Sequence, residues 1–309
     1  MVKSENTAHI AQKTLGGDLM AIVETANDLR ERLHNFDFPE VAQSYATKDC
    51  ILYALGIGFG ENPTHRAELP FVFEEPNLRV VPSMAAVLAS PGFWARDPAT
   101  GIDWHRFLHA EQEIVLHRPL PTTATVRAKT RITRIIDKGE AKGALIYLER
   151  NVRDQFGILA TVKVLNFARG NGGCGGDSGP QPAPHAVPSG PPEARFETHT
   201  DPRSALFYRL SGDPNPLHVD PDVASAAGFE RPILHGLCSF GIATRAILAT
   251  YCDYDPGRLR SIKLRFSKPV YPGETIRVEM WRQGPDVSFR ATVADRGVTA
   301  LDHGHAKID

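Results

Sequence analysis

Seven glycines and six prolines fall within the 23 positions from 170 to 192, a density that no helix or strand accommodates. That stretch divides the 309-residue chain into two segments of similar size, each long enough for its own core. The segments share a faint repeat. Lys48-Asp-Cys-Ile-Leu-Tyr-Ala-Leu-Gly-Ile-Gly58 aligns with Arg203-Ser-Ala-Leu-Phe-Tyr-Arg-Leu-Ser-Gly-Asp213, pairing Tyr53 with Tyr208 and Leu55 with Leu210. Downstream, His117-Arg-Pro-Leu-Pro has the spacing of Ser267-Lys-Pro-Val-Tyr-Pro. One architecture used twice is the simplest reading.

Hydrophobic periodicity supplies the elements. Gly236 to about Tyr251 is apolar over more than one face, which predicts a nearly enclosed helix. Alternation predicts strands over 261–266, 275–283, 287–294 and 301–308, and over 124–135, 144–154 and 158–168 in the first half. The corresponding apolar run of the first half, 80–94, contains Pro82, Pro91 and Gly92, so part of it should be irregular. Ahead of the first repeat, Asp18 is placed to cap a helix carrying Leu19, Ile22, Val23, Ala26, Leu29 and Leu33 on one stripe. That stripe must be covered, by its own domain or by a partner subunit.

The chemistry concentrates at Tyr208-Arg-Leu-Ser-Gly-Asp-Pro-Asn-Pro-Leu-His-Val-Asp220. An acid (Asp213), an amide (Asn215) and an imidazole (His218) lie within six residues, separated by Pro214 and Pro216. Two prolines so close forbid helix and central strand, so the segment is an irregular loop that can aim alternate side chains at one point. Asp-Pro-Asn-Pro is also ordinary turn chemistry. Asp220 and Asp222 stand where a following short helix would begin. An acid and a base facing one pocket are what proton-coupled addition or elimination of water requires.

Two further blocks accompany this loop: Arg231-Pro-Ile-Leu-His-Gly-Leu-Cys238 and Phe266-Ser-Lys-Pro-Val-Tyr-Pro-Gly-Glu-Thr275. With Tyr53-Ala-Leu-Gly56, Leu108-His-Ala-Glu-Gln112, Arg118-Pro-Leu-Pro121 and Asp137-Lys-Gly139 in the first half, the chain resembles the MaoC-like (R)-specific enoyl-CoA hydratases. Within them it is most similar to the two-repeat hydratases of peroxisomal multifunctional β-oxidation enzymes. The resemblance runs from about Tyr45 to the C-terminus. It implies a double hot-dog fold, in which each repeat wraps an antiparallel sheet around a long central helix. The expected division is an extension over 1–44, a non-catalytic repeat over 45–169, a linker over 170–200 and a catalytic repeat over 201–309.

The resemblance also implies roles. Asp213 and His218 form an acid–base pair holding the reacting water, with their individual parts left open. Asn215 orients the water or Asp213, and the Gly236 amide at the helix start donates to the thioester oxygen. Pro214, Pro216, Leu217 and His235 line the substrate site, while His109, Ala110, Lys138 and Phe266 fall where relatives touch acyl-CoA. Ala110 replaces a glycine usual there, which would narrow the pocket or alter a backbone contact. The expected reaction is reversible hydration of a trans-2-enoyl-CoA to the (3R)-3-hydroxyacyl-CoA, on medium, long or bulky acyl chains. A hot-dog thioesterase and a non-catalytic acyl-CoA-binding protein are the alternatives.

Bulk properties set the boundaries. A net charge of −1 offers no electrostatic basis for nucleic-acid or anionic-membrane binding. Cys50, Cys174, Cys238 and Cys252 have no metal-ligand spacing, so neither a metal nor a separate cofactor is expected beyond the CoA of the substrate. No apolar run spans a membrane, and neither a signal peptide nor a terminal peroxisomal tripeptide is evident. A cytoplasmic homodimer is the resulting expectation.

Overall fold

The computed structural model describes residues 29–177 and 180–309. Ten strands form one antiparallel sheet: β1 (Glu40–Tyr45), β2 (Phe107–Leu116), β3 (Ala124–Asp137), β4 (Ala144–Asp154), β5 (Gly157–Ala168), β6 (Ala194–His199), β7 (Leu259–Phe266), β8 (Thr275–Gln283), β9 (Asp286–Val293) and β10 (Val298–Ile308). Their order across the sheet is β1-β3-β4-β5-β2-β7-β10-β9-β8-β6. From either edge inward the two halves are therefore equivalent, and they meet where β2 pairs with β7, Glu111 opposite Arg265 and Ile114 opposite Ile262. Local contacts repeat as well. The His117 and Arg118 amides both donate to the Leu159 carbonyl, as those of Ser267 and Lys268 do to Ala300. Tyr53 and Tyr208, paired by the sequence repeat, pack ring to ring at 5.8 Å. The fold is a double hot dog.

In the second repeat the expected helix, Gly236–Tyr251, is present with those bounds. Its residues from Cys238 to Leu248 are all buried, as an all-round apolar surface demands. Against them β8 turns Ile276, Val278 and Met280 inward, and β9 turns Val287, Phe289 and Ala291 inward, on the period of two that a pleated strand imposes. Gly241 lets the helix approach the first repeat, because a Cβ there would meet the Ile57 side chain at 2.5 Å.

The first repeat departs from expectation, since it has no long central helix. Residues 80–89 are buried in its place, as the 3₁₀ turn Pro82–Ala86 followed by turns. Pro82 can open a helical turn, but Ala89 at φ +46° and then Pro91 end any continuation. Strands β1, β2 and β6 were not foreseen either. Their polar residues obscure the alternation, and β2 keeps its carboxylates through cross-strand partners: Glu111 with Arg265 at 2.9 Å and Glu113 with Lys163 at 3.0 Å.

Sheet structure begins at Glu40, and a helical segment over 29–35 precedes it. Leu33 and Phe38 pack with Ala95, Ile102, Ile135 and Ile146, so this part of the apolar stripe is covered by its own repeat. The expected cap at Asp18 and the stripe from Leu19 to Ala26 lie outside the described residues. The Gly/Pro-rich stretch runs over the surface, where Asp177 accepts from the Ile135 amide at 2.9 Å and Trp281 donates to the Pro191 carbonyl at 2.9 Å. Among the described residues no helix is long and apolar enough to cross a membrane.

One buried ion pair ties the repeats together. Arg245, inside the long helix, donates to both Glu68 carboxylate oxygens at 2.7 and 3.1 Å, and its guanidinium lies over the Phe59 and Phe196 rings. Removing one partner of such a pair strands the other charge. Glu68→Gln should therefore lower unfolding free energy by about 3 kcal/mol. Denaturant unfolding measures this, and an unchanged midpoint would show that the pair is dispensable.

Candidate active site

Pro214 and Pro216 shape the loop as their chemistry dictates. The chain leaves the short helix Ser204–Tyr208, turns at Gly212 in the left-handed region (φ +118°) and enters the 3₁₀ turn Pro216–His218 with proline at its first position. Asn215 caps that turn, its side-chain oxygen accepting from the Leu217 amide at 3.1 Å. Its own amide donates to the Asp213 carboxylate at 3.2 Å. Asn215 thus steadies Asp213 through the backbone, while its side-chain oxygen is committed to the turn rather than to a water. Asp220 caps the next helix as expected, accepting from the Asp222 and Val223 amides.

His218 is buried, and its Nδ1–H donates to the Ile233 carbonyl at 2.8 Å. This contact selects the neutral tautomer and leaves Nε2 as a bare acceptor. His235, immediately before the long helix, stacks on His218 with ring centroids 3.8 Å apart. Its Nε2–H donates to the Asp213 carbonyl at 3.2 Å, so the second imidazole holds both members of the dyad in place. One donor atom each from Asp213, His218 and His235 lie within 4.8 Å of one another, a spacing that suits a shared water or a small cation.

Burial keeps these rings neutral. It pushes His235 down to about 3, reinforced by the neighbouring His218, and lowers His218 despite the attraction of Asp213. His235 Nδ1 and, on the segment leading to Asp213, Arg209 Nε and Ser211 Oγ are buried with no partner among the described residues. Buried polar atoms are nearly always paired, so these three are open to a polar ligand.

The long helix and β2 complete the site. Gly236 is exposed at the helix start, and its amide precedes the first intrahelical bond, which Cys238 makes to the His235 carbonyl at 3.0 Å. A Cβ on Gly236 would stand 3.2 Å from the Phe266 ring, so glycine keeps the approach to that amide open. Phe266 ends β7, and across the seam His109 of β2 meets it edge-on at 5.0 Å. His109 feels the Asp213 charge, yet burial pushes it down to about 4. The first repeat therefore delivers a neutral ring to the second repeat's dyad.

Two residues of the expected acyl-CoA contacts stand apart from Asp213 and His218. Ala110 is the extra residue of a bulge between His109 and Glu111, and its methyl packs with Ile136, Leu145 and Leu165. That cluster is separate from the one containing Phe266, so the side chain does not narrow the site. Lys138 sits in the β3–β4 hairpin, with β4 and β5 between it and His109, and reaches Gln181 at 3.1 Å. Pro214 is exposed on the loop, whereas Pro216 and Leu217 are half-buried beside His218. Arg209 and Ser211, with their unpartnered atoms, are not among the expected site residues, and their only sequence signal is position, just ahead of Asp213.

Known proteins match along this same chain. A model of the MaoC like domain covers residues 185–303, and one of the MFE-2 hydratase 2 N-terminal domain covers residues 43–170. The chain is 38% identical to a probable enoyl-CoA hydratase 2 of Dictyostelium discoideum, over 90% of this chain and 96% of that protein. It is 37% identical to peroxisomal multifunctional enzyme type 2 of Mus musculus, over 87% of this chain but only 37% of the mouse protein. A crystallographic MaoC-like dehydratase from Phytophthora capsici superposes with a TM-score of 0.80 at 34% identity, covering 90% of this chain and 98% of that one.

The buried rings give a pH dependence. His109 and His235 bind protons less readily folded than unfolded, so the unfolded state takes up protons first as pH falls below about 6.5. Their stability contribution is complete above that value and declines towards the folded values of about 4 and about 3. Urea midpoints should drop between about pH 7.5 and about pH 5, and His235→Gln should shrink that drop. Equal pH slopes in wild type and variant would contradict the assignment.

Proposed function

Because the chain belongs to the MaoC-like hydratase 2 family, we propose that it catalyses the reversible syn addition of water to a trans-2-enoyl-CoA, giving the (3R)-3-hydroxyacyl-CoA. The observation that carries this reading is the bare Nε2 of His218, fixed by the Ile233 carbonyl and gathered with Asp213 near the exposed amide of Gly236. Relatives named enoyl-CoA hydratase 2 and a 3-hydroxyacyl-thioester dehydratase match over most of their own length, which supports the same chemistry here.

In this scheme the thioester oxygen accepts from the Gly236 amide at the positive end of the helix. Water between Asp213 and His218 gives a proton to Nε2 while its oxygen bonds to Cβ. The double-bond electrons move onto the thioester oxygen, where the amide stabilises them, and Asp213 stabilises the imidazolium. The dyad then returns a proton to Cα on the same face and the carbonyl re-forms. One water is consumed, no net proton is released, and dehydration is the reverse. His235 contributes position rather than protons, since its Nε2–H is held by the Asp213 carbonyl.

The irregular residues 80–89 occupy the first repeat where a long helix stands in the second, which supports a medium, long or bulky acyl chain directed there. A homodimer belongs to the same proposal. Leu55, Leu206 and Leu210 are exposed on adjoining helical segments, a face that a second copy would cover.

Incubation with trans-2-enoyl-CoA esters and chiral product analysis tests the reaction. Wild type should form the (3R) product, and Asp213→Asn and His218→Gln should each lower kcat by about a hundred- to ten-thousandfold. Free CoA as the product would instead indicate a thioesterase. Burial disfavours the imidazolium of His218, so the acid limb of the kcat/KM profile should lie below about pH 6.5. A limb above that value would oppose His218 as the base.

A further inference from the structure

Two arginines are buried among the described residues, Arg150 and Arg245, each about 5% exposed. Arg245 has its counter-ion in Glu68. Arg150 has none: no carboxylate among the described residues comes within ion-pair distance. Its guanidinium donates from Nη2 to the Ala86 carbonyl at 2.5 Å and, at 3.4 Å, from Nε to that of Leu88, and no acceptor among the described residues meets Nη1. Burial alone lowers its affinity for its proton, to about 10, so it stays a cation at neutral pH. A cation held inside a protein with neutral partners only is costly, and an anionic ligand removes that cost.

Its position says where such a ligand would come from. Arg150 lies on the interior face of β4 between the buried Leu148 and Val152, opposite Val162 of β5, which in turn stands opposite Ile114 of β2. It is therefore farther into the first repeat than His109, whose protonation responds to both Asp213 and Arg150. The two carbonyls it holds belong to the irregular segment that replaces the first repeat's helix. On the acyl-CoA reading, with the thioester at Gly236 and its CoA in solvent, an acyl chain directed inward past His109 would head towards that segment.

We propose that Arg150 is the counter-ion for a carboxylate at the far end of the acyl chain, so that the preferred substrates are ω-carboxy trans-2-enoyl-CoA esters. This rests on the acyl-CoA reading above and adds to it the chemical class of the acyl group. A bidentate guanidinium–carboxylate contact recognises a planar anion at fixed reach, so the preference should peak at one chain length.

The test compares kcat/KM for matched trans-2-enoyl-CoA esters with and without a terminal carboxylate, over a series of rising chain length. Wild type should favour the carboxylated ester at its best length by about tenfold or more, the worth of a hydrogen bond to a charged group. Arg150→Met should abolish that preference while retaining turnover of the plain esters. Arg150→Lys, which keeps the charge but not the fork, should retain part of it. It also serves as the readout should thermal melting show that Arg150→Met is unfolded. Absence of a wild-type preference at every length, or an equal loss on both series in the variants, would reduce Arg150 to a tie for residues 86–88 and overturn the proposal. Failure of wild type to hydrate even the plain esters would overturn the hydratase reading itself, a result distinguishable from the first two.

Discussion

Everything in the site depends on the seam where β2 pairs with β7. Each repeat alone has a free strand at this position, and pairing the two closes one ten-stranded sheet. The seam is held by backbone ladders and by carboxylates of β2 against basic residues of its neighbours, Glu111 with Arg265 above all. Its consequence is local and chemical. Phe266 at the end of β7 comes to lie beside His109 of β2, so a ring from the half without an acid–base loop faces the dyad of the other.

The dyad itself is arranged by neutral contacts. Two backbone carbonyls, Ile233 and Asp213, each hold one nitrogen of an imidazole, and stacking aligns the rings. Holding a base through carbonyls rather than through a second carboxylate has an electrostatic logic. Burial lowers the affinity of His218 for a proton by more than the Ile233 carbonyl and Asp213 raise it, which keeps the ring neutral and Nε2 unprotonated. Asp213 lies close to that ring, where in the proposed mechanism it would stabilise the charge once a proton has moved.

The legible parts of the sequence were those where one physical signal dominated. The long helix was readable to its last residue because it is apolar all round and opens on glycine, and β4 and β8 were bounded correctly by clean alternation. The irregular loop carrying Asp213 and His218 was legible from Pro214 and Pro216, which exclude a long helix or a central strand, and Pro216 opens a 3₁₀ turn there. Strands β1, β2 and β6 were not, because their polar residues are explained only by neighbours that folding supplies. The same limit applies to side chains. The sequence puts Arg245 inside the apolar helix and Arg150 in phase with Leu148 and Val152, but it shows neither Glu68 as the partner of the first nor the missing counter-ion of the second, nor that Ala110 falls on a bulge that turns its methyl away from the site.

The asymmetry of the repeats follows from what each loop must touch. Gly58 aligns with Asp213, and its φ of +92° already disfavours any side chain. A Cβ there would also sit 2.7 Å from Nη1 of Arg245, the guanidinium that binds Glu68. A side chain at 58 would therefore press on Nη1, the end of the guanidinium that reaches Thr198 and Glu61, beside the ion pair that fastens the long helix to the first repeat. It would also find no long helix of its own repeat beside it, because residues 80–89 form turns instead. One loop packs against the shared helix and the other lies at its N-terminus. The backbone at Gly58 and the guanidinium beside it disfavour a second acid at the position aligned with Asp213, in keeping with the single acid–base pair of the proposed mechanism.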